Sequence, residues 1–370
     1  MNYQVLDVET TIYENGNPFS RRNKLCLVGL GDYIGMDKDK IQQGIDSCDL
    51  IIGFNIKFDL HWIKRYGISF EGKRVWDCQL ADFILTGQSN PYPSLNSVAA
   101  KYGLGCKHDV VSTDYWEKGV DTSEVPEELL RDYLRQDLLL TERVYHNQLT
   151  QFQDNPQLYK LFKLHCLDLL VLQDMEYNGM LFDCKEAAIL ADKEEQRTNE
   201  IEQELKNGYE NIPINFASRD HLSAYLFGGT ITEEIPQLIG IYKTGARKGE
   251  AKYKKVEFKH ELPRLVTPPK GSELKKEGFF STDENTLKSI SCNRMGRRRL
   301  DLILERAKSA KITGTYYQGI PKLIDKMDWP KDTVHGQFNQ CVAATGRLSS
   351  SRPNLQNFAG EVDKLLRSRY

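Results

Sequence analysis

The chain has 370 residues, enough for two or three domains that each have their own core. With 40% hydrophobic and 28% charged residues and a formal net charge of −2, it has the composition of a soluble globular protein. No apolar run approaches the roughly 20 residues of a membrane span, and the N-terminus lacks the basic region of a signal peptide. The eight cysteines show no C-x-x-C or His-paired spacing, which argues against zinc and favours a reducing compartment. We therefore expect a cytoplasmic protein.

The first ~150 residues alternate strand-like and helix-like segments. Predicted strands cover residues 3–10, 24–32 and 49–55. Helices are predicted at 57–65, 77–85 and 94–101, and a long helix runs from Pro126 to about Phe152. This alternation predicts an α/β domain.

The second half of the chain is predicted to be mostly helical, after a boundary at Asn155-Pro156. Helices are expected at 158–178, 184–206 and 286–310. The Gly- and Lys-rich stretch 228–278 is predicted to be irregular or an extended insertion. Basic residues dominate from 243 to 276 and again from 294 to 311. Such clusters are either solvated faces or contacts for nucleic acid.

Three short acidic motifs stand out in the α/β part. Asp7 and Glu9 are two residues apart on a strand, so their side chains face the same side. Asp59 lies in the first turn of a helix, and Tyr133 and Asp137 share one face of the long helix. Four carboxylates and a phenol suit phosphodiester hydrolysis with two Mg²⁺ ions, because magnesium takes oxygen ligands. Mn²⁺ is the expected substitute.

Each motif alone also has an ordinary explanation. An acid pair at this spacing occurs by chance, an acid near a helix N-terminus is favoured by the helix dipole, and Tyr133 with Asp137 fits an ordinary helix face. The order of the three motifs, with suitable secondary structure around each, favours a nuclease. Asp77 is interpreted as a helix N-cap, and neither Asp77 nor Asp82 is given a catalytic role.

The three motifs resemble those of the DEDD-type 3′–5′ exonucleases with a tyrosine in the third motif, which serve as proofreading domains in family A DNA polymerases. The resemblance implies a ribonuclease-H-like fold for residues 1 to ~150. It implies that Asp7, Glu9 and Asp137 hold one metal ion and that Asp7 bridges to a second. It further implies that Asp59 acts largely at the second ion and that Tyr133 orients the attacking water.

The polar segment 339–357 carries a second resemblance. Its Arg, Asn and Gln residues suit minor-groove acceptors and phosphates, and a Ser-rich surface loop is the alternative. The segment resembles the start of the palm of family A DNA polymerases. By that resemblance, Arg347 touches the minor groove at the primer end, and Asn354 and Gln356 lie along the primer–template duplex. The exonuclease resemblance likewise places Asn55 near the terminal nucleotides of the substrate.

The implied organisation is an exonuclease domain at 1–153, thumb and connecting helices at 154–327, and an incomplete α+β palm segment at 328–370. Two segments of this middle part, residues 170–183 and 311–317, resemble sequence signatures of the family A DNA polymerases. The polymerase aspartates of the family would follow Tyr370. We therefore expect that DNA synthesis needs a second polypeptide, as in a split polymerase, or that the chain is a shortened form.

The expected partners are single-stranded 3′ ends and primer–template DNA, in a bacterial or phage-infected cell. A processivity factor is a candidate partner for the basic insertion at about 230–278. Two alternatives stay open. One is a stand-alone 3′–5′ exonuclease that acts on DNA or RNA, and the other is a catalytically idle DNA-binding subunit.

Overall fold

The computed structural model describes residues 2–368 except His108, Ala246 and Ala359. The chain divides into two compact units. Unit 1 comprises residues 1–184 and 320–370, and unit 2 comprises residues 185–319. The division into exonuclease, thumb and palm segments stays a prediction.

A five-stranded mixed sheet organises the N-terminal part of unit 1. Its strands stand in the order β3-β2-β1-β4-β5, with β1 antiparallel to β2 and parallel to β4. Leu6, Ile51 and Ile52 are fully buried, because the sheet is covered by helices and its central strands need apolar residues on both faces. The strands are β1 (Tyr3–Thr10), β2 (Leu25–Leu30), β3 (Tyr33–Gly35), β4 (Leu50–Gly53) and β5 (Arg74–Asp77).

The helices of this part begin and end close to the predicted residues, so the predicted α/β alternation is confirmed. Asp77 Oδ1 accepts hydrogen bonds from Gln79 N (2.8 Å) and Leu80 N (3.1 Å), which confirms the N-cap. Gly67, in the left-handed region, ends the second helix. The helices are α1 (Lys38–Asp46), α2 (Ile56–Tyr66), α3 (Cys78–Leu85), α4 (Leu95–Lys101), α5 (Val110–Asp114), α6 (Glu127–Asp154) and α7 (Pro156–Asn178).

Gly179 ends α7 with a φ of 63° and leads into β6 (Met180–Phe182). A Cβ atom there would lie 2.8 Å from Val334 O, so only glycine allows the two backbone segments to approach this closely.

Unit 2 contains helices and one long β-hairpin. The irregular conformation predicted for 228–278 is wrong for Gly229–Ile241 and Ala251–Leu262, which form two paired antiparallel strands. Alternating β-branched and aromatic residues, such as Ile231, Ile235, Val256 and Phe258, favour this pairing. The elements are α8 (Cys184–Lys206), α9 (Arg219–Phe227), β7 (Gly229–Ile241), β8 (Ala251–Leu262), α10 (Glu284–Ser289) and α11 (Arg294–Ile312).

The chain then completes unit 1. β6 pairs with two later strands in a three-stranded sheet of order β12-β6-β9, and a short hairpin joins β10 to β11. These elements are α12 (Gly319–Met327), β9 (Thr333–Val334), β10 (Gln337–Asn339), β11 (Ser349–Ser351) and β12 (Leu366–Arg367). Short helical turns occur at Trp116–Lys118, Thr122–Glu124, Thr313–Tyr317, Leu355–Asn357 and Asp363–Leu365. Among the described residues, no helix is both long and apolar enough to span a bilayer.

Candidate active site

Three of the predicted carboxylates meet where β1 and α6 pack together. Asp7 and Glu9 point from one side of β1, and Asp137 comes from α6. One oxygen from each side chain lies within 4.8 Å of the others. Gly29, which pairs with Asp7 on β2, permits this approach, because a Cβ atom there would lie 2.7 Å from a methyl group of Leu138 on α6.

Burial and mutual repulsion disfavour the charged forms of these acids. Burial, followed by the charge of Asp137, raises the pKa of Asp7 to about 8. Burial and the charges of Asp7 and Asp137 hold the pKa of Glu9 well above its usual range. Burial also raises the pKa of Asp137. A cation at this position would relieve the repulsion that raises these pKa values.

The cluster fits a hard divalent ion. Its donors are all carboxylate oxygens, which Mg²⁺ prefers. In addition, Asp137 Oδ1 is buried and accepts no hydrogen bond from the described residues, although a buried oxygen without a partner is costly. This atom therefore has a free coordination position.

Asp59 lies in the first turn of α2, as predicted, but outside the group of three close carboxylates. Its side chain is 2% exposed. Burial, then the charges of Asp7 and Asp77, hold the pKa of Asp59 well above its usual range. The structure therefore places Asp59 within electrostatic reach of the cluster.

Asn55 precedes α2 in a left-handed conformation, with φ of 59° and no side-chain capping bond. Its backbone nitrogen donates to Asp77 Oδ1 (3.2 Å), and Ile56 N donates to Asp77 Oδ2 (3.1 Å). Asp77 thus holds the starts of both α2 and α3, and the Asn55 side chain is not needed as a cap.

Tyr133 has a neighbour that the sequence analysis missed. Lys107 Nζ donates to the Tyr133 hydroxyl (2.6 Å) and to Asp137 Oδ2 (2.6 Å), and its side chain is 11% exposed. Burial lowers the pKa of Lys107, but the charges of Asp137 and Tyr133 outweigh burial and raise it overall. Lys107 therefore places a positive charge beside the acidic cluster. It lies in a loop before α5, where no periodic pattern marks it.

A cavity of about 390 Å³ in unit 1 is lined on one side by Asn55, which precedes α2, and by Phe58 on α2. Asn339 and Arg352, from the C-terminal part of the same unit, line its other side. The lining combines aromatic faces, amides and cations, which stack on bases and bind phosphates, with the carboxylates of Glu14 and Glu176, of which Glu176 is paired with Lys57.

A buried charge network holds α2 against α7. Glu176 Oε1 accepts from Lys57 Nζ (2.6 Å) and Phe338 N (2.6 Å), and Glu176 Oε2 accepts from His61 Nε2 (2.9 Å). The other His61 nitrogen accepts from the Gln173 amide (3.2 Å), so the ring is neutral. This network ties α2, which follows Asn55 and carries Asp59, to β10, the strand that leads into the C-terminal polar segment.

The three predicted duplex contacts lie at the surface of unit 1. Arg347, in the turn between β10 and β11, is exposed. Asn354 and Gln356 are also exposed. Asn354 Oδ1 accepts from Gln356 N (3.1 Å), and Gln356 Nε2 donates to Leu348 O (3.2 Å). The structure thus links Gln356 to Leu348, the residue that follows Arg347. In the sequence, the three predicted duplex contacts all lie far from the acidic motifs.

Comparisons with known proteins find relatives for most of the chain. The family model for DNA polymerase family A matches residues 264–369. The chain is 26% identical over 312 residues to DNA polymerase I of Synechocystis sp., an alignment that covers 82% of this chain and 26% of that protein. It is 26% identical over 298 residues to DNA polymerase I of Bacillus subtilis, covering 80% of this chain and 28% of that protein.

A phage protein and a solved structure are similar over more of the chain. The DNA polymerase of Bacillus phage SP01 is 23% identical over 349 residues, which cover 90% of this chain and 37% of the phage protein. The solved structure is the POL domain of Pol1 from M. smegmatis in complex with DNA primer-template and dNTP. It matches with a TM-score of 0.66 at 16% identity over 99% of this chain and 54% of that chain. The chain thus spans between 26% and 37% of the length of these curated relatives.

Proposed function

Because the chain is related to the family A DNA polymerases, we propose that its α/β part is a 3′–5′ exonuclease with a ribonuclease-H-like fold. The observation that carries this proposal is the meeting of Asp7, Glu9 and Asp137, whose oxygens lie within 4.8 Å of one another. Two buried acids, Glu9 and Asp137, and the half-buried Asp7 are costly at this separation without a cation, and they are suited to a metal-dependent hydrolase.

The residues of the site would have different roles in hydrolysis. Asp7, Glu9 and Asp137 would hold one Mg²⁺ ion, and Asp59 would act with Asp7 at a second. Bound Mg²⁺ supplies an activated water and neutralises charge on the phosphate. Tyr133, one helical turn before Asp137, presents its hydroxyl beside the Asp137 carboxylate and would orient the attacking water.

The DNA contacts belong to two regions of unit 1. The cavity beside Asn55 would take the nucleotides next to the scissile 3′ end, because it offers stacking faces and cations. Arg347, Asn354 and Gln356 would contact primer–template duplex. The second polypeptide, the processivity factor, the choice of DNA over RNA and the cytoplasmic location stay predictions.

A second candidate function is a catalytically idle DNA-binding subunit. Lys107 favours it, because its ammonium group already supplies a positive charge at Asp137 and Tyr133. In that case the acids and Lys107 would form a structural ion cluster, and magnesium would not cause cleavage of bound DNA.

Degradation of labelled single-stranded DNA separates the two functions. We would incubate 5′-labelled and 3′-labelled oligonucleotides with Mg²⁺ and compare Asp137→Asn with Asp132→Asn. Asp132 lies on the same helix but is exposed and paired with Arg135. Stepwise shortening from the 3′ end by wild type and Asp132→Asn, lost in Asp137→Asn and in Asp7→Ala/Glu9→Ala, is the expected result. DNA binding by wild type without any cleavage would favour the idle subunit.

A further inference from the structure

The hairpin of unit 2, here called the β7–β8 ribbon (residues 229–262), has an anchored base and a free distal half. At the base, Ile231 is 1% exposed and Leu262 is 6% exposed, and both belong to the core of unit 2. In the distal half, Ile239, Ile241 and Tyr253 are 49%, 61% and 60% exposed. A two-stranded ribbon has little stability of its own in water, so a bound ligand would stabilise the extended distal half.

Charge is divided sharply between the two halves. The distal half, residues 239–255, contains six Lys or Arg residues and one acid, Glu250. The base, residues 229–238 and 256–262, contains four Glu residues and one Lys. The neutral average of the whole chain therefore conceals a strongly positive tip. A cluster of one sign attracts a ligand of the opposite sign over several ångströms.

Most cations of the tip are available for a ligand. Lys255 pairs with Glu234 (2.6 Å) and Arg247 with Glu250 (2.7 Å). The other four, Lys243, Lys248, Lys252 and Lys254, form no ion pair with any described residue. The strand register puts Lys252 and Lys254 on one face of the ribbon and Lys255 on the other.

We propose that the distal half of the β7–β8 ribbon binds the phosphate backbone of duplex DNA. The major groove of a duplex admits a two-stranded ribbon, and the four tip lysines that form no ion pair with the described residues can reach the phosphates along that groove. Exposed Tyr253 and Ile241 supply apolar contact to sugars within the same half of the ribbon. The choice of DNA as ligand rests on the proposed function, but the binding does not require hydrolysis.

Duplex binding in EDTA tests the ribbon separately from the nuclease, since no metal-dependent cleavage can occur. We would measure the affinity of the full chain for a fluorescein-labelled 24-base-pair duplex across a series of NaCl concentrations. The tip variant is Lys248→Gln/Lys252→Gln/Lys254→Gln. The matched control is Lys185→Gln/Lys193→Gln/Lys270→Gln, which removes three exposed charges of unit 2 outside the ribbon.

The tip variant should bind more weakly, and its plot of log affinity against log salt should be shallower by about 2 to 3, since each lost phosphate contact removes about 0.9. The control should keep the wild-type slope. A tip variant with wild-type affinity and slope would overturn the proposal and leave the tip to a protein ligand. A wild-type chain that does not bind the duplex would also overturn it. Circular dichroism checks that both variants fold.

Discussion

Lys107 Nζ lies 2.6 Å from Asp137 Oδ2, so a lysine places a positive charge directly beside the acidic cluster. The same nitrogen is 2.6 Å from the Tyr133 hydroxyl and 3.4 Å from Asp109 Oδ1. Either its ammonium group or a divalent cation would neutralise the negative charge of Asp137. Metal binding and Lys107 are therefore expected to compete.

Lys107→Met should make the folded protein more dependent on magnesium. In EDTA, loss of this mostly buried partner should lower the free energy of unfolding by about 3 kcal/mol. Saturating Mg²⁺ should recover much of that loss, because a ligand at 100 times its Kd contributes about 2.7 kcal/mol. Thermal unfolding with EDTA and with Mg²⁺ measures both effects.

The control for this prediction is Lys118→Met, which breaks an exposed pair with Asp114. It should cost less than about 1 kcal/mol, and Mg²⁺ should shift its melting temperature as much as that of wild type. If Lys107→Met shows no larger Mg²⁺ shift than Lys118→Met, Lys107 does not compete with a metal ion.

Tyr133→Phe tests the role of the hydroxyl group in hydrolysis. We expect the rate of 3′ shortening to fall by about 100-fold, the size of effect usual for a lost proton-handling or water-positioning group. Metal binding should persist, since the carboxylates are unchanged. Tyr145→Phe is the control, because Tyr145 is a buried aromatic residue of the core. Equal rates for Tyr133→Phe and wild type would remove this hydroxyl from the mechanism.

Local patterns predicted the elements that carry the acids. The spacing of Tyr133 and Asp137 indicated one helix face, and α6 confirms it. The cap at Asp77 fixed the start of α3 within one residue, because capping depends only on neighbours in the chain.

Long-range contacts could not be predicted in the same way. Lys107 meets Tyr133 and Asp137 from a loop, and Glu176 bonds to Lys57 and Phe338, which are 119 and 162 residues away. A local sequence pattern does not indicate such partners, since they depend on how distant elements pack. The long hairpin of unit 2 was missed for a related reason. Its glycines and lysines resemble a loop by composition, while its strands are specified by cross-strand pairing.

Glu176→Gln should destabilise the protein strongly. Its carboxylate is 3% exposed and neutralises Lys57, so the substitution leaves a mostly buried ammonium group without its partner. We expect a loss of about 3 kcal/mol in the free energy of unfolding at pH 8. Asp174→Asn is the control on the same helix, because its pair with Lys64 is exposed and should contribute less than about 1 kcal/mol. Urea unfolding compares the two; equal losses would contradict the role of Glu176.

The same network predicts loss of stability on acidification. Burial lowers the pKa of His61 despite its bond to Glu176, so the unfolded chain takes up a proton below about pH 6.5 and the folded chain does not. Burial alone would raise the pKa of Glu176, but His61 and Lys57 outweigh it and lower the pKa, so a second loss follows below about pH 4.3. The raised pKa values of Asp7, Glu9, Asp59 and Asp137 act in the opposite direction, so the effect is measured against His61→Gln/Glu176→Gln, which removes both groups. Relative to that variant, the free energy of unfolding of wild type in urea should fall between pH 8 and pH 3. A difference that does not change with pH would contradict both assignments.

Arg347→Ala should separate duplex binding from hydrolysis. Its guanidinium group is exposed and forms no ion pair with the described residues, so the substitution should not affect folding. In EDTA, affinity for a primer–template duplex should fall, and the salt slope should become shallower by about 1, as expected for one lost contact. Arg135→Ala, which removes an exposed arginine from the outer face of α6, should leave the slope unchanged. With Mg²⁺, both variants should shorten single strands at the wild-type rate. Loss of that activity in Arg347→Ala alone would place Arg347 in the nuclease site instead.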